Sequence, residues 1–403
     1  MGQRSEEILT RASALPEMRA RVEHHPLAHK AEGARIYDVD NHGYIDYTGA
    51  GGAAIVGYAN QFILDAVRKV LAAGVPDGLH VPLEVDVAEG LEQFVPWAST
   101  WAFVRHHDEA LRTVLRWLRR QTGKSSFLLL DGGGHGIVDE HEVAGTSRSG
   151  FVREVPGWDL ARIEAAVTGG ASKVAALVLD PLLTRFGVVE PPAGALAEIA
   201  GICAEAGVLL VFDEGISGFR VHRGGAATLY DVTPDVAVYG RALGGGFPIG
   251  AIAVREGVDT GELVRDESLP VPHPVSLAAA EAVLSILKND SVYDRLEERT
   301  RQLEEGILAL AERFSRPLTF SRVGSAFAVA VGREPVVDKA SWEATDADAY
   351  RRFANGLLEE GVLIPSVPCG TAFLSNAHGV KEVEETLAAC ERVLLKLHQE
   401  DMP

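Results

Sequence analysis

The chain has 403 residues, 47% of them hydrophobic and 24% charged, and a formal net charge of −19. So large an acidic surplus argues against nucleic acid or an anionic membrane as the main partner, since both select a basic surface. The length is more than one core usually covers, so two subdomains are expected. Cys203, Cys369 and Cys390 lie far apart with no C-x-x-C pair, which reads as three structural thiols in a reducing, cytoplasmic setting. The opening "MGQRSEEILTRASALPEM" has no apolar core, so no secretory signal is expected, and no apolar window approaches the roughly 20 residues of a membrane span.

In chain order, "GARIYDVDNHGYIDYTG" (33–49) alternates and turns at Asn41-His42-Gly43, the pattern of a hairpin. Leu111, Val114, Leu115 and Leu118 fall at i, i+3, i+4 and i+7, one apolar helix face, with Arg112, Arg116, Arg119 and Arg120 opposite as a solvated one. Five short apolar runs read as buried strands: 126–130, 175–181, 208–215, 236–240 and 251–256. Amphipathic helices between such runs predict a mostly parallel sheet covered on both faces. From about 291 a long helix leads into a strand pair at 318–332, and residues 380–398 form an amphipathic helix. The expected division is 1–54 and 291–403 as a small α+β domain built from both termini, around a large α/β domain at 55–290.

Ligands of parallel sheets sit outside the carboxyl ends of the strands. Asp131, His135, Asp180, Asp213 and Arg241 all fall at or just beyond such ends, which places a polar cleft there. Arg241 stands in "VYGRALGGGFPIGA" (238–251), where an apolar strand empties into a Gly-rich turn. A charge at that point is costly unless it is paired or used.

These stretches carry a resemblance. "VFDEGISGFR", "YDVTPDVAVYGRALGGGFPIGA", "EALRTVLRWLRRQTGK", the N-terminal hairpin with its glycines, and "FLSNAHGVKEVEETL" together resemble the class III (ω-type) aminotransferases. The nearest branch is glutamate-1-semialdehyde aminomutase. These are fold type I enzymes using pyridoxal phosphate (PLP), and the likeness covers almost the whole chain. It implies a homodimer with the cleft between subunits, a small-molecule substrate, and a lysine at position 241 forming the Schiff base. Here that residue is arginine, and no lysine occurs between Lys173 and Lys288. A guanidinium remains protonated and is no nucleophile near neutral pH. The family's Ser-Gly-Thr phosphate loop matches His106, His107 and Asp108; its ring-stacking aromatic matches Gly134; a phosphate-reaching threonine falls near Leu269. Asp213, which would pair with the pyridine nitrogen, and His135 remain.

From these losses the sequence predicts no cofactor and a repurposed, PLP-independent lyase, cyclase, isomerase or hydrolase acting on a small polar metabolite in specialised biosynthesis. Its expected catalytic residues are Arg241, His107, His135 and Asp213, with Arg105, His106, Asp108 and Arg241 binding substrate. Arg241 would hold a carboxylate or phosphate, a histidine would act as general acid or base, and Asp213 would either orient a histidine or be the counter-ion of Arg241. One alternative is a non-catalytic partner of an active aminotransferase, with Arg241 and Asp213 as a buried ion pair. Another is non-covalent use of PLP or pyridoxamine phosphate (PMP), with Asp213 under the ring. His141 joins His106, His107, Asp108, His135 and Asp213 as a metal-capable residue, but the spacing lacks H-x-x-x-H or H-E-x-x-H, so no metal is expected. Trp97, Trp101, Tyr58 and Phe247 are read as core rather than pocket wall.

Overall fold

The structure is a computed structural model that describes residues 2–12, 26–135, 152–266 and 269–400. Its centre is a seven-stranded sheet in the order β4-β10-β9-β8-β7-β5-β6. These strands are β4 (Ala98–Val104), β5 (Ser126–Leu130), β6 (Val152–Val155), β7 (Val174–Leu179), β8 (Leu209–Asp213), β9 (Val236–Tyr239) and β10 (Gly250–Arg255). Strands β9-β8-β7-β5-β6 pair in parallel, while β10 runs antiparallel to both β9 and β4. Strands β7 and β9 are buried along their whole length, as a sheet covered on both faces requires.

The helix His107–Thr122 forms where the leucine periodicity placed it. His106 caps its start by accepting from the Asp108 amide, and Asp108 and Glu109 sit in the first turn. Arg119 and Arg120 occupy the last turn, and Gly123 closes the helix at φ 67°. Each of these choices complements the helix dipole or an unpaired backbone group. Ala110, Leu111, Val114, Leu115 and Leu118 are buried against β9 and β10.

Two smaller sheets come from the chain's ends. One has the order β1-β2-β3-β13 (Ala28–Glu32, Arg35–Asp38, Gly43–Asp46, Val362–Leu363), so the predicted hairpin pairs with a strand over three hundred residues later. The other is β11-β12-β14 (Leu318–Val323, Ala326–Val331, Ala372–Phe373). The helices Ser291–Arg313 and Val380–Glu400 pack on each other beside them. The "DEHE" stretch with His141 lies outside the described residues.

Candidate active site

The carboxyl ends of β5, β7, β8 and β9 converge on one buried polar cluster. Asp213 is the last residue of β8 and is 3% exposed. Its Oδ1 accepts from His107 Nε2 at 2.7 Å and from the Gly215 amide at 3.0 Å. Its Oδ2 accepts from His135 Nδ1 at 2.9 Å. His107 is the first residue of its helix, and His135 follows the turn after β5; both are buried. The backbone leaves room for the rings: a Cβ at Gly215 would collide with the imidazole of His107, and one at Gly133 with that of His135.

This geometry fixes charge. Burial by itself would keep His107 neutral. The Asp213 carboxylate, with hydrogen bonds to Asp108 and Asp213, outweighs burial and pushes the imidazole up to about 9. Burial would likewise raise Asp213, but the two histidines hold it well below the usual carboxylate range. Asp180, beyond β7, is fully buried and raised, chiefly by burial and by the nearby charge of Asp213. It is satisfied locally, by the Thr184 hydroxyl and the amides of Leu182, Thr184 and Gly134.

Arg241 follows β9 at φ 43°, in the left-handed region that non-glycine residues enter rarely. Its Nη1 donates to the Gly51 carbonyl at 2.8 Å. The neighbouring Gly52 carbonyl accepts from the fully buried Arg220, so two guanidinium groups meet the same glycine loop. Arg241, His106, His107, Asp108, Ala50 and Phe247 are among the residues around a cavity of about 290 Å³. That is near the lower bound for small-molecule sites. Larger hollows of about 890 Å³ beside Asp38 and about 360 Å³ beside Asp290 lie away from the strand ends.

Most of the predicted residues therefore gather, and of the two roles open to Asp213 the structure has it facing histidines. Arg105 is a correction: its guanidinium turns from the cavity to Asp77 Oδ1 at 2.9 Å and the Val271 carbonyl at 3.1 Å. The alternative in which Arg241 and Asp213 form a buried ion pair is corrected, since the carboxylate's oxygens face two imidazoles while Arg241 turns to Gly51. His106 is mainly the helix cap, with its side chain 59% exposed at the cavity rim. Asp131 faces Lys339 at 3.4 Å. Phe247, Trp97 and Trp101 all pack against the core, and Phe247 also contributes to the cavity wall. The Gly51–Gly52 carbonyls were missed as a site element; the small-residue run "TGAGGAA" was the available signal.

Comparison with known proteins matches residues 18–377 to the family described as Aminotransferase class-III. A glutamate-1-semialdehyde 2,1-aminomutase of Citrifermentans bemidjiense is 31% identical over 384 residues, covering 90% of each chain. A solved structure described as a transaminase with PLP bound superposes with TM-score 0.86 at 24% identity, covering 99% of both chains. A lysine-to-alanine variant of a glutamate-1-semialdehyde aminomutase from Pseudomonas aeruginosa, in complex with PMP, gives TM-score 0.83 at 22% identity, covering 92% of this chain and 88% of that one.

These matches overturn two expectations. The PLP-independent lyase, cyclase, isomerase or hydrolase gives way to a relative of aminomutases and transaminases. The expectation of no cofactor gives way as well, because structural neighbours hold PLP and PMP. The physical reason is that a cavity with a cation on its wall persists at the strand ends despite the changes at positions 106–108, 134 and 241, so these substitutions do not by themselves abolish a site. The present residues fit such a cofactor in part. Arg241 offers a cation at the cavity wall, but Asp213 does not reach that wall, and its oxygens are already engaged by His107 and His135. In this arrangement the carboxylate is closed to a ring nitrogen.

Proposed function

The chain belongs to the class-III aminotransferase family, and on that premise we propose that its cleft takes PLP or PMP without a covalent bond to the protein and serves amino-group chemistry on a small-molecule substrate. The observation that carries this reading is Arg241. It follows β9 at the position of the family's lysine, and a guanidinium cannot form the covalent link a lysine amine would. The lysine-to-alanine aminomutase variant in complex with PMP supports the idea that this fold can hold such a group without one of its lysines. The cofactor, when bound, supplies an electron sink. The protein's own contributions follow from the cavity wall. Arg241 is a fixed cation for a phosphate or carboxylate. His107 is the buried imidazole on that wall, and its proton is held by Asp213.

The same reading includes a cytoplasmic homodimer. Phe62, Leu71, Leu79 and Val85 are each more than half exposed on or near the helices Gln61–Ala73 and Leu83–Glu92, which supports a covered surface in the assembly. The division at 1–54, 55–290 and 291–403 is part of the proposal too, supported by the way the three sheets group their strands. The test is an absorbance titration with PLP and with PMP, followed by dialysis and by mass spectrometry after borohydride treatment. A saturable cofactor band that leaves on dialysis, with no mass added to the chain, is expected. A trapped adduct, or no band with either compound, would overturn the reading.

A further inference from the structure

We propose that His107 competes with the cofactor's ring for Asp213, so that the protein carries an internal occupant of its own ring site. This rests on the reading that a pyridoxal-type cofactor binds here. An aspartate is a recognised partner for the pyridinium nitrogen of this cofactor class. Asp213 has the position for that role, at the end of a central strand, but not the freedom. Oδ1 is held by His107 and the Gly215 amide, and Oδ2 by His135. Of the three residues, only His107 is also among those around the cavity, so it is the link between the carboxylate and the space a ligand would enter.

The arrangement is built rather than incidental. Gly215 supplies the space that the His107 ring fills, and the ring is 1% exposed. Asp180, the other buried carboxylate at these strand ends, is occupied by the Thr184 hydroxyl and backbone amides and offers no substitute. A ring nitrogen can thus reach Asp213 only after the imidazole leaves. In the same pose the other ring nitrogen, Nδ1, is 3.3 Å from Oδ1 of Asp108, a residue of the cavity wall, so two carboxylates hold the imidazole in place. One carboxylate has two cationic suitors, and the protein's own is covalently tethered, so its effective concentration is high. Occupancy by the cofactor is reduced in proportion.

The experiment compares PMP affinity of the wild-type protein and His107→Gly by fluorescence titration, with thermal melting to establish that the variant is folded. His107→Gly should bind PMP at least about tenfold more tightly. Equal or weaker binding by the folded variant would overturn the competition and leave the cofactor reading standing. Absence of binding by both proteins at millimolar PMP would overturn the cofactor reading itself, and the inference with it. A second measurement needs no variant. In the wild type, the downfield imidazole N–H resonance of the His107–Asp213 hydrogen bond should be lost as PMP saturates, while that of His135 persists. Saturation with the His107 resonance unchanged would overturn the proposal.

Discussion

Asp213 holds a proton-rich neighbourhood that makes stability depend on pH. His107 titrates at about 9 when folded against an ordinary 6.5, so the folded state binds its proton more tightly than the unfolded chain. The resulting stabilisation is fully present below pH 6.5 and is lost as pH rises through 9. Its size is about 3 kcal/mol for this fully buried group. Glu214 acts in the same direction over a lower window. Burial pushes it up to about 7, against bonds from Ser217, Ala226 and Ala227, so its contribution fades between about 4.5 and 7. Chemical denaturation at pH 7 and pH 8.5 samples most of the His107 window below the range in which the buried cysteines and Arg220 contribute. The wild type should lose about 2 kcal/mol across that interval, and Asp213→Asn should start lower and lose less. An equal pH slope in both proteins would show that the imidazole's proton is not held by Asp213. At this scale the sequence revealed which residues gather but not how they pair. Asp213, His107, His135 and Arg241 were legible as strand-end and helix-start residues. Which of Asp213's two possible pairings forms, and that two histidines share it, was not, because side-chain direction depends on contacts across 106 and 78 residues of sequence. Arg105 shows the same limit: one residue from His106, it faces Asp77 instead of the cavity.

Secondary elements were easier to read where one periodicity dominated. The helix His107–Thr122 has a leucine stripe, acidic residues at its start, basic ones at its end and a glycine stop, and all four signals agree. Its buried face is where energy resides. Leu111 is fully buried between this helix and the sheet, so Leu111→Ala should cost about 3 kcal/mol in denaturant unfolding. Arg116→Ala, on the solvated face with a partly exposed Asp266 partner at 3.0 Å, should change stability by less than about 1 kcal/mol. Reversal of that order would mean the helix is held by its ionic face. Less legible was β4, whose burial alternates irregularly and whose place beside β10 depends on antiparallel pairing with a strand about 150 residues later. The direction of β10 was equally hidden, since an apolar run has the same composition whichever way it points.

The largest scale joins both ends of the chain: β3 pairs with β13, and β12 with β14, so the N-terminal hairpin cannot complete its sheet until the last quarter of the chain is made. The cleft inherits this closure, because the loop after β3 carries the Gly51 and Gly52 carbonyls that receive Arg241 and Arg220. The surface poses an opposite problem. Each chain carries −19, so the two copies of the proposed dimer would repel at long range, and its association would have to come from short-range apolar contact. Phe62, at 58% exposure, and Leu79, at 65%, are the large side chains best placed to supply it. Two consequences can be read by light scattering on a sizing column. Raising salt from about 0.05 to 0.5 M should strengthen the dimer, since screening shortens the reach of like-charge repulsion while apolar contact persists. Phe62→Glu with Leu79→Glu should shift the protein to monomer without changing its thermal unfolding by more than a few degrees. A dimer that dissociates as salt rises would instead be held by ion pairs, and the apolar residues would then need another occupant.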